Sequence, residues 1–242
     1  MSARGANQTL LVMNNPNYWR NVAMKAVVGR PLEDITYAVF TEFLIQHKDP
    51  GHRFTVYPQL SLKWKPEEET DRRAEVPDVG VGNFTSPGTI PSFKLRFGVE
   101  AKRALDIMVS LPAAASLVTN DDVVTAFHRL SFQAKNQAKA AVKNHYPISQ
   151  GAATVQWILL IGPYWTPVTF GPFTDAQLTV RAHKTSSSED WKESARERKR
   201  AAGPPAALSE LFLLCEKASS QRLEGIITST DAAAVPLINA MY

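Results

Sequence analysis

The sequence predicts an α/β (α+β) chain: a mixed sheet flanked by helices in the order helix, three strands, helix, strand, followed by a C-terminal helical extension. Three observations carry this expectation. Apolar residues recur at helical spacing over residues 32–46 and again from Asp121 to about Asn144. Between them, two-residue alternation marks strands at 54–64, 74–84 and 93–103. Residues 155–161 (VQWILLI) then form a short, continuous apolar run of the kind a buried strand presents.

Residues 1–30 are polar and irregular, with Asn14-Asn15-Pro16-Asn17 marking a turn. The core is assigned to residues 31–175. Pro31 suits a first helical turn, and Glu33 and Asp34 stand near its positive end. Leu32, Ile35, Val39, Phe40 and Phe43 make the apolar stripe of this helix, and Asp49-Pro50-Gly51 stops it.

From 54 to 64, Phe54, Val56, Pro58, Leu60, Leu62 and Trp64 alternate with polar neighbours, predicting one long half-buried strand. Pro58 puts it at an edge or at a bulge. Residues 67–73 (EEETDRR) make a charged, solvated loop. The turn residues of 85–92 (TSPGTIPS) join the next two strands as an antiparallel hairpin.

Asp121 and Asp122 open the second helix, whose apolar positions are Val123, Phe127, Leu130, Ala134, Ala138 and Ala141. Lys135, Lys139 and Lys143 step along the opposite face with His128. Strands follow at 155–161 and 168–173. Residues 176–242 comprise a polar linker, the breaker Gly203-Pro204-Pro205, and a helix over 207–223 packed on the core.

A chain of 242 residues holds one substantial core. The charge balance is 27 − 23 = +4 with a pI near 9.2, mildly basic and compatible with a polyanionic partner. Cys215 is the single cysteine. That excludes an internal disulfide and fits a reducing, intracellular compartment, nuclear or cytoplasmic. Cys215 falls in an apolar helical pattern (LSELFLLCEKA), where packing is the ordinary role. The longest apolar run, 155–162, is too short to span a bilayer, so no membrane partner is expected. A basic run at 196–200 (RERKR) is the one weak targeting signal. The five histidines lack metal-ligand spacing, and no phosphate-loop, dinucleotide or nucleophile-elbow pattern is present.

The chemistry concentrates in the hairpin. Asp78 lies on the first strand, and Glu100, Ala101 and Lys102 lie on the second. With Asp78 opposite Glu100, Val79 meets Val99, Gly80 meets Gly98, and Val81 meets Phe97. One face is then an apolar layer. The other carries two carboxylates and an ammonium beside glycines that let a ligand approach closely. Carboxylate oxygens hold a hard divalent cation, which polarises phosphate, while lysine adds positive charge. That combination serves metal-assisted phosphodiester hydrolysis. The plain alternative is a solvated Glu-x-Lys face after a Pro-Asp turn, but an unpaired carboxylate within a valine-rich stretch is costly.

Pro77-Asp78 followed by Glu100-Ala101-Lys102 on the next strand resembles the motif of the PD-(D/E)XK nuclease superfamily, which includes restriction endonucleases and Holliday junction resolvases. The resemblance implies a restriction-endonuclease-like αβββαβ core. It implies Mg²⁺, with Mn²⁺ able to substitute, held by Asp78, Glu100 and the backbone carbonyl of Ala101. Lys102 would position or activate water or stabilise the transition state. A free lysine, with a pKa of about 10.4, favours positioning and charge stabilisation. The implied function is a metal-dependent nuclease acting on nucleic acid, DNA ahead of RNA. The alternative is a catalytically inactive module of that fold that binds nucleic acid or a protein partner. Relatives that cut both strands often dimerise, so a homodimer is compatible with the resemblance.

Some relatives add a glutamate from the first helix to the metal site. Glu33 is the candidate here, ahead of Glu42, although Glu33 also suits a helix start. Gln133 and Gln137 sit one helical turn apart, where relatives often place a glutamine to steady the site or touch substrate. Arg96 and Lys94, expected on the face of Glu100 and Lys102, are the preferred substrate contacts. The helix lysines, Lys63, Lys65 and Arg103 complete the basic set available to a phosphate backbone. Trp64 and Trp157 fit core positions better than base stacking.

Overall fold

A computed structural model describes residues 15–28, 33–47, 54–60, 62–63, 74–85, 92–144, 154–174, 177–178, 207–232 and 235–237. Trp64, Lys65, the 67–73 loop and the 184–205 segment with its basic run lie outside these residues, as does most of the 85–92 turn. The fold is mixed α/β. Helices α1 (Pro16–Lys25), α2 (Glu33–Gln46), α3 (Asp121–Asn144) and α4 (Lys217–Ala232) surround one main sheet. Its strands are β1 (Thr55–Pro58), β4 (Val79–Thr85), β5 (Ser92–Lys102), β6 (Val155–Ile161), β7 (Tyr164–Phe170) and β8 (Phe212–Leu213), side by side in that order. β9 (Val235–Leu237) also pairs with β5, while β2 (Leu62–Lys63) and β3 (Ala74–Glu75) form a separate ladder. The β5–β6 pairing, bridged by α3, is parallel, and the other strand pairings among the described residues are antiparallel. No described helix is long and apolar enough to cross a membrane.

Apolar side chains divide between the two faces of the sheet. On one face α3 buries Val123, Phe127, Leu130, Ala134, Ala138 and Ala141, the positions its periodicity predicts, against Trp157, Leu159 and Ile161. On the other, Val39, Phe40, Phe43 and Leu44 of α2 and Leu223, Ile226 and Ile227 of α4 cover Val79, Val81, Phe97, Val99 and Ala101. Asn120 caps α3, its Oδ1 accepting from the Val123 N–H at 3.2 Å.

Four expectations are corrected. Residues 16–25, expected to be irregular, are helical: Asn15 Oδ1 accepts from the Tyr18 N–H at 3.1 Å, and Pro16 occupies the first turn. The same Asn-Pro pair that signals a turn also starts helices, and Trp19, Val22, Ala23 and Ala26 follow at helical spacing. The strand expected over 54–64 ends at Pro58, on the sheet edge, where Gln59 takes a positive φ of 50°. Phe54 and Val56 therefore pack toward α2, whereas Leu60 and Leu62 pack toward α3.

The strand expected over 168–173 starts earlier, because Gly162 (φ 54°) and Pro163 turn β6 directly into β7 and pair Ile161 with Tyr164. The helix expected over 207–223 begins only at Lys217. Leu211 and Leu213 face one side of the sheet and Leu214 the other, so a short apolar run that fits either period extends the edge of β7. Cys215 sits in the turn after β8, half-buried against both clusters. Burial first, and Glu216 second, push its thiol pKa up, which fits packing and not nucleophilic chemistry.

Candidate active site

The hairpin register is the expected one at its functional end. Val79 pairs with Val99, Gly80 with Gly98, and Val81 with Phe97. Asp78 immediately precedes β4, half-buried, and its Oδ2 accepts from the Ala101 N–H at 2.7 Å. Asp78 is thus tied to the residue between Glu100 and Lys102. The Lys102 carbonyl accepts from the Gly162 N–H on the β6 side at 2.9 Å. Ala101, one residue earlier, presents its N–H and carbonyl on the opposite edge, toward Asp78.

Glu100 is 1% exposed and faces α3. Its Oε2 accepts from Gln137 Nε2 at 2.6 Å, and its Oε1 accepts from Gln133 Nε2. Lys102 Nζ stands 3.7 Å from the same Oε1, on a side chain that is 40% exposed. Gln137 also donates to the Val76 carbonyl and accepts from Trp157 Nε1, each at 3.2 Å. The indole has only an N–H to offer, so it fixes which end of the Gln137 amide faces Glu100. A carboxylate this buried is stabilised by amide donors on both oxygens and by an ammonium beside one of them.

Both glutamines named from the sequence therefore converge on Glu100. Val76 and Trp157 belong to the same network and were missed. The signal for Trp157 was Gly98, which leaves room on the face of Glu100 that the Trp157 ring fills, whereas Val76 contributes a backbone carbonyl that no side-chain pattern marks. Leu60 fills the corresponding space over Gly80. These glycines accommodate core side chains, where ligand approach had been expected.

Arg96 and Lys94 are not in the site. A bulge between Val81 and Gly82 makes Arg96 an extra residue of β5, since Gly82 pairs with Leu95. The extra residue reverses the facing pattern: Phe93 and Leu95 pack toward α3, but Phe97, Val99 and Ala101 pack toward α2 and α4. Arg96 is buried beneath α4, its Nη1 donating to the Ile227 carbonyl at 3.3 Å. Lys94 is exposed and does not share the α3 face with Glu100. Glu33 begins α2, and its side chain lies outside the described residues. Glu42 accepts from the Tyr18 hydroxyl, on a helix that covers the face opposite Glu100. On α3, Lys135 is exposed and Lys139 partly buried. Burial first, and Lys135 second, lower the Lys139 pKa.

Among the described residues, no three histidine, cysteine, aspartate or glutamate side chains converge as a metal-holding group. The arrangement supplies two carboxylates and the edge carbonyl of Ala101, all hard oxygen donors of the kind Mg²⁺ takes. A carboxylate oxygen carries two lone pairs and can accept a hydrogen bond and meet a cation together. The donor set therefore fits such an ion. A cleft of about 230 Å³ lined by Phe127, His128, Ser131, Leu159, Thr166 and neighbours includes none of these residues. No protein-family model, curated protein or solved structure matches this chain.

Proposed function

We propose that this protein is a divalent-cation-dependent nuclease of the PD-(D/E)XK type, with a restriction-endonuclease-like core, hydrolysing phosphodiester bonds in nucleic acid, DNA ahead of RNA. The observation that carries this reading is the buried Glu100 carboxylate, held through both oxygens by Gln133 and Gln137 beside Lys102. A hydrophobic residue of similar volume would serve the core as well or better. A buried carboxylate clamped in one orientation is instead suited to presenting an oxygen to a cation.

A bound divalent cation supplies Lewis acidity toward phosphate oxygens and toward water. Asp78, Glu100 and the Ala101 carbonyl would hold it. The Ala101 N–H fixes Asp78 Oδ2, and the two amides stop Glu100 from rotating, so the ligand oxygens are oriented in advance. Lys102 keeps an exposed ammonium beside this group, where it orients the attacking water and stabilises charge building on the phosphate.

The test incubates purified protein with duplex DNA, single-stranded DNA and RNA, in Mg²⁺ or Mn²⁺, against an EDTA control. Chelator-sensitive cutting that disappears in Asp78→Ala and Lys102→Ala supports the reading. Salt-sensitive binding of nucleic acid with no cutting overturns it in favour of a non-catalytic binding module.

A further inference from the structure

Glu100 gives the site a direction. Its Oε2 meets Gln137, which also holds the Val76 carbonyl and the buried Trp157 indole, so this end is closed. Its Oε1 meets Gln133 and the partly exposed Lys102, so this end is open. Gln137 and Gln133 are neighbours on one stripe of α3. One further turn along that stripe, about 6 Å beyond Gln133 on the open side, stands Arg129. Arg129 is exposed. Lys135 and Lys139 lie on the other flank of the helix, off this stripe.

We propose that Arg129 is the site's substrate contact, binding the non-bridging oxygens of a phosphate next to the scissile one. This rests on the nuclease reading and names what Lys94 and Arg96, on their opposite face, do not supply. A guanidinium presents a planar fork of N–H donors that matches two phosphate oxygens. Its place one turn past the carboxylate clamp requires a second phosphate, which a polymer offers and a phosphomonoester does not.

The experiment measures binding of a fluorescent duplex by anisotropy across a salt series, using Asp78→Asn protein in Mg²⁺ so that nothing is cut. Adding Arg129→Ala is expected to weaken binding roughly tenfold at moderate salt and to flatten the log–log salt slope by about 0.9. Arg129→Lys should restore the slope and only part of the affinity, because a point charge replaces the fork. In the cutting-competent chain the Arg129→Ala loss should fall on KM more than on kcat. Cutting by the wild type, with Kd and slope unmoved by Arg129→Ala, would refute the Arg129 contact and leave the nuclease reading standing. A wild type that neither binds nor cuts nucleic acid overturns both. Arg129 is exposed, so an unchanged melting curve for each variant confirms that folding is not being read.

Discussion

The Ala101 N–H lies 2.7 Å from Asp78 Oδ2, so a side chain takes over the sheet hydrogen bond just where the β4–β5 ladder ends. Asp78 has this structural role and, on the proposed nuclease reading, a chemical one, and two substitutions separate them. Asp78→Ala leaves the N–H without its acceptor and should cost about 1–2 kcal/mol. Asp78→Asn retains an amide oxygen and should cost less than about 1 kcal/mol while losing cutting as fully. Urea denaturation checks this, and equal destabilisation by both variants would show that the bond contributes nothing.

Gln133 and Gln137 hold the same carboxylate from different depths. Gln137 is 2% exposed and bonds Glu100, Val76 and Trp157, whereas Gln133 is exposed. Gln137→Ala should therefore cost about 2–4 kcal/mol, from lost hydrogen bonds and a cavity. Gln133→Ala should stay within about 1 kcal/mol, since water replaces its bond to Glu100. Both should lower kcat, because each frees Glu100 to rotate. Equal stability losses in the two variants would contradict this division.

A Cβ at residue 98 would run into the Trp157 ring. Gly98→Ala should push the indole away from Gln137 and so loosen the clamp on Glu100, at a cost of about 1–3 kcal/mol. Gly80→Ala meets the Leu60 side chain first, whose far end can shift, and serves as the comparison. The prediction is that Gly98→Ala lowers cutting as far as Gln137→Ala does, with a smaller effect from Gly80→Ala. Matching activities for the two glycine variants would uncouple Trp157 from the site.

The α3 stripe and the β4–β5 register from Val79 to Val81 were legible because they follow from period and parity, whereas the placing of Gln133 and Gln137 near Glu100 rested on the resemblance and not on spacing. Parity fails at a bulge, and the bulge at Gly82 is what sent Arg96 beneath α4. Nothing in the run FKLRFGVEAK marks an extra residue. Its partner glycine did carry a signal, since a Cβ there would strike the Lys94 backbone. The C-terminal strand was illegible for another reason. LFLL satisfies a helix or a strand, and the free edge of β7 decides between them, which a local pattern does not contain.

Cation binding should be visible without any cutting. A ligand that binds only the folded chain stabilises it by RT ln(1 + [L]/Kd), about 2.7 kcal/mol at a hundredfold excess over Kd. Mg²⁺ should therefore raise the melting temperature of the wild type and leave Asp78→Asn and Glu100→Gln unmoved. Gln133→Ala should show a smaller rise than the wild type. A Mg²⁺ shift that persists in Glu100→Gln would place the ion elsewhere.

His47, at the end of α2, is buried, and its ring packs 4.6 Å from that of Phe43. Its Nδ1–H donates to the Phe43 carbonyl at 2.7 Å, and its Nε2 has no hydrogen-bond partner among the described residues. Burial lowers its pKa below 6.5, offset in part by the Phe43 carbonyl and by Glu224 of α4. The unfolded chain then takes up a proton more readily than the folded one. Stability should be full above the ordinary histidine value and fall as pH drops below it toward the folded pKa. Urea midpoints at about pH 7.5 and about pH 5.5 should differ more for the wild type than for His47→Leu, whatever the constant offset between the two proteins. Parallel pH profiles would mean that His47 contributes nothing to the acid limb.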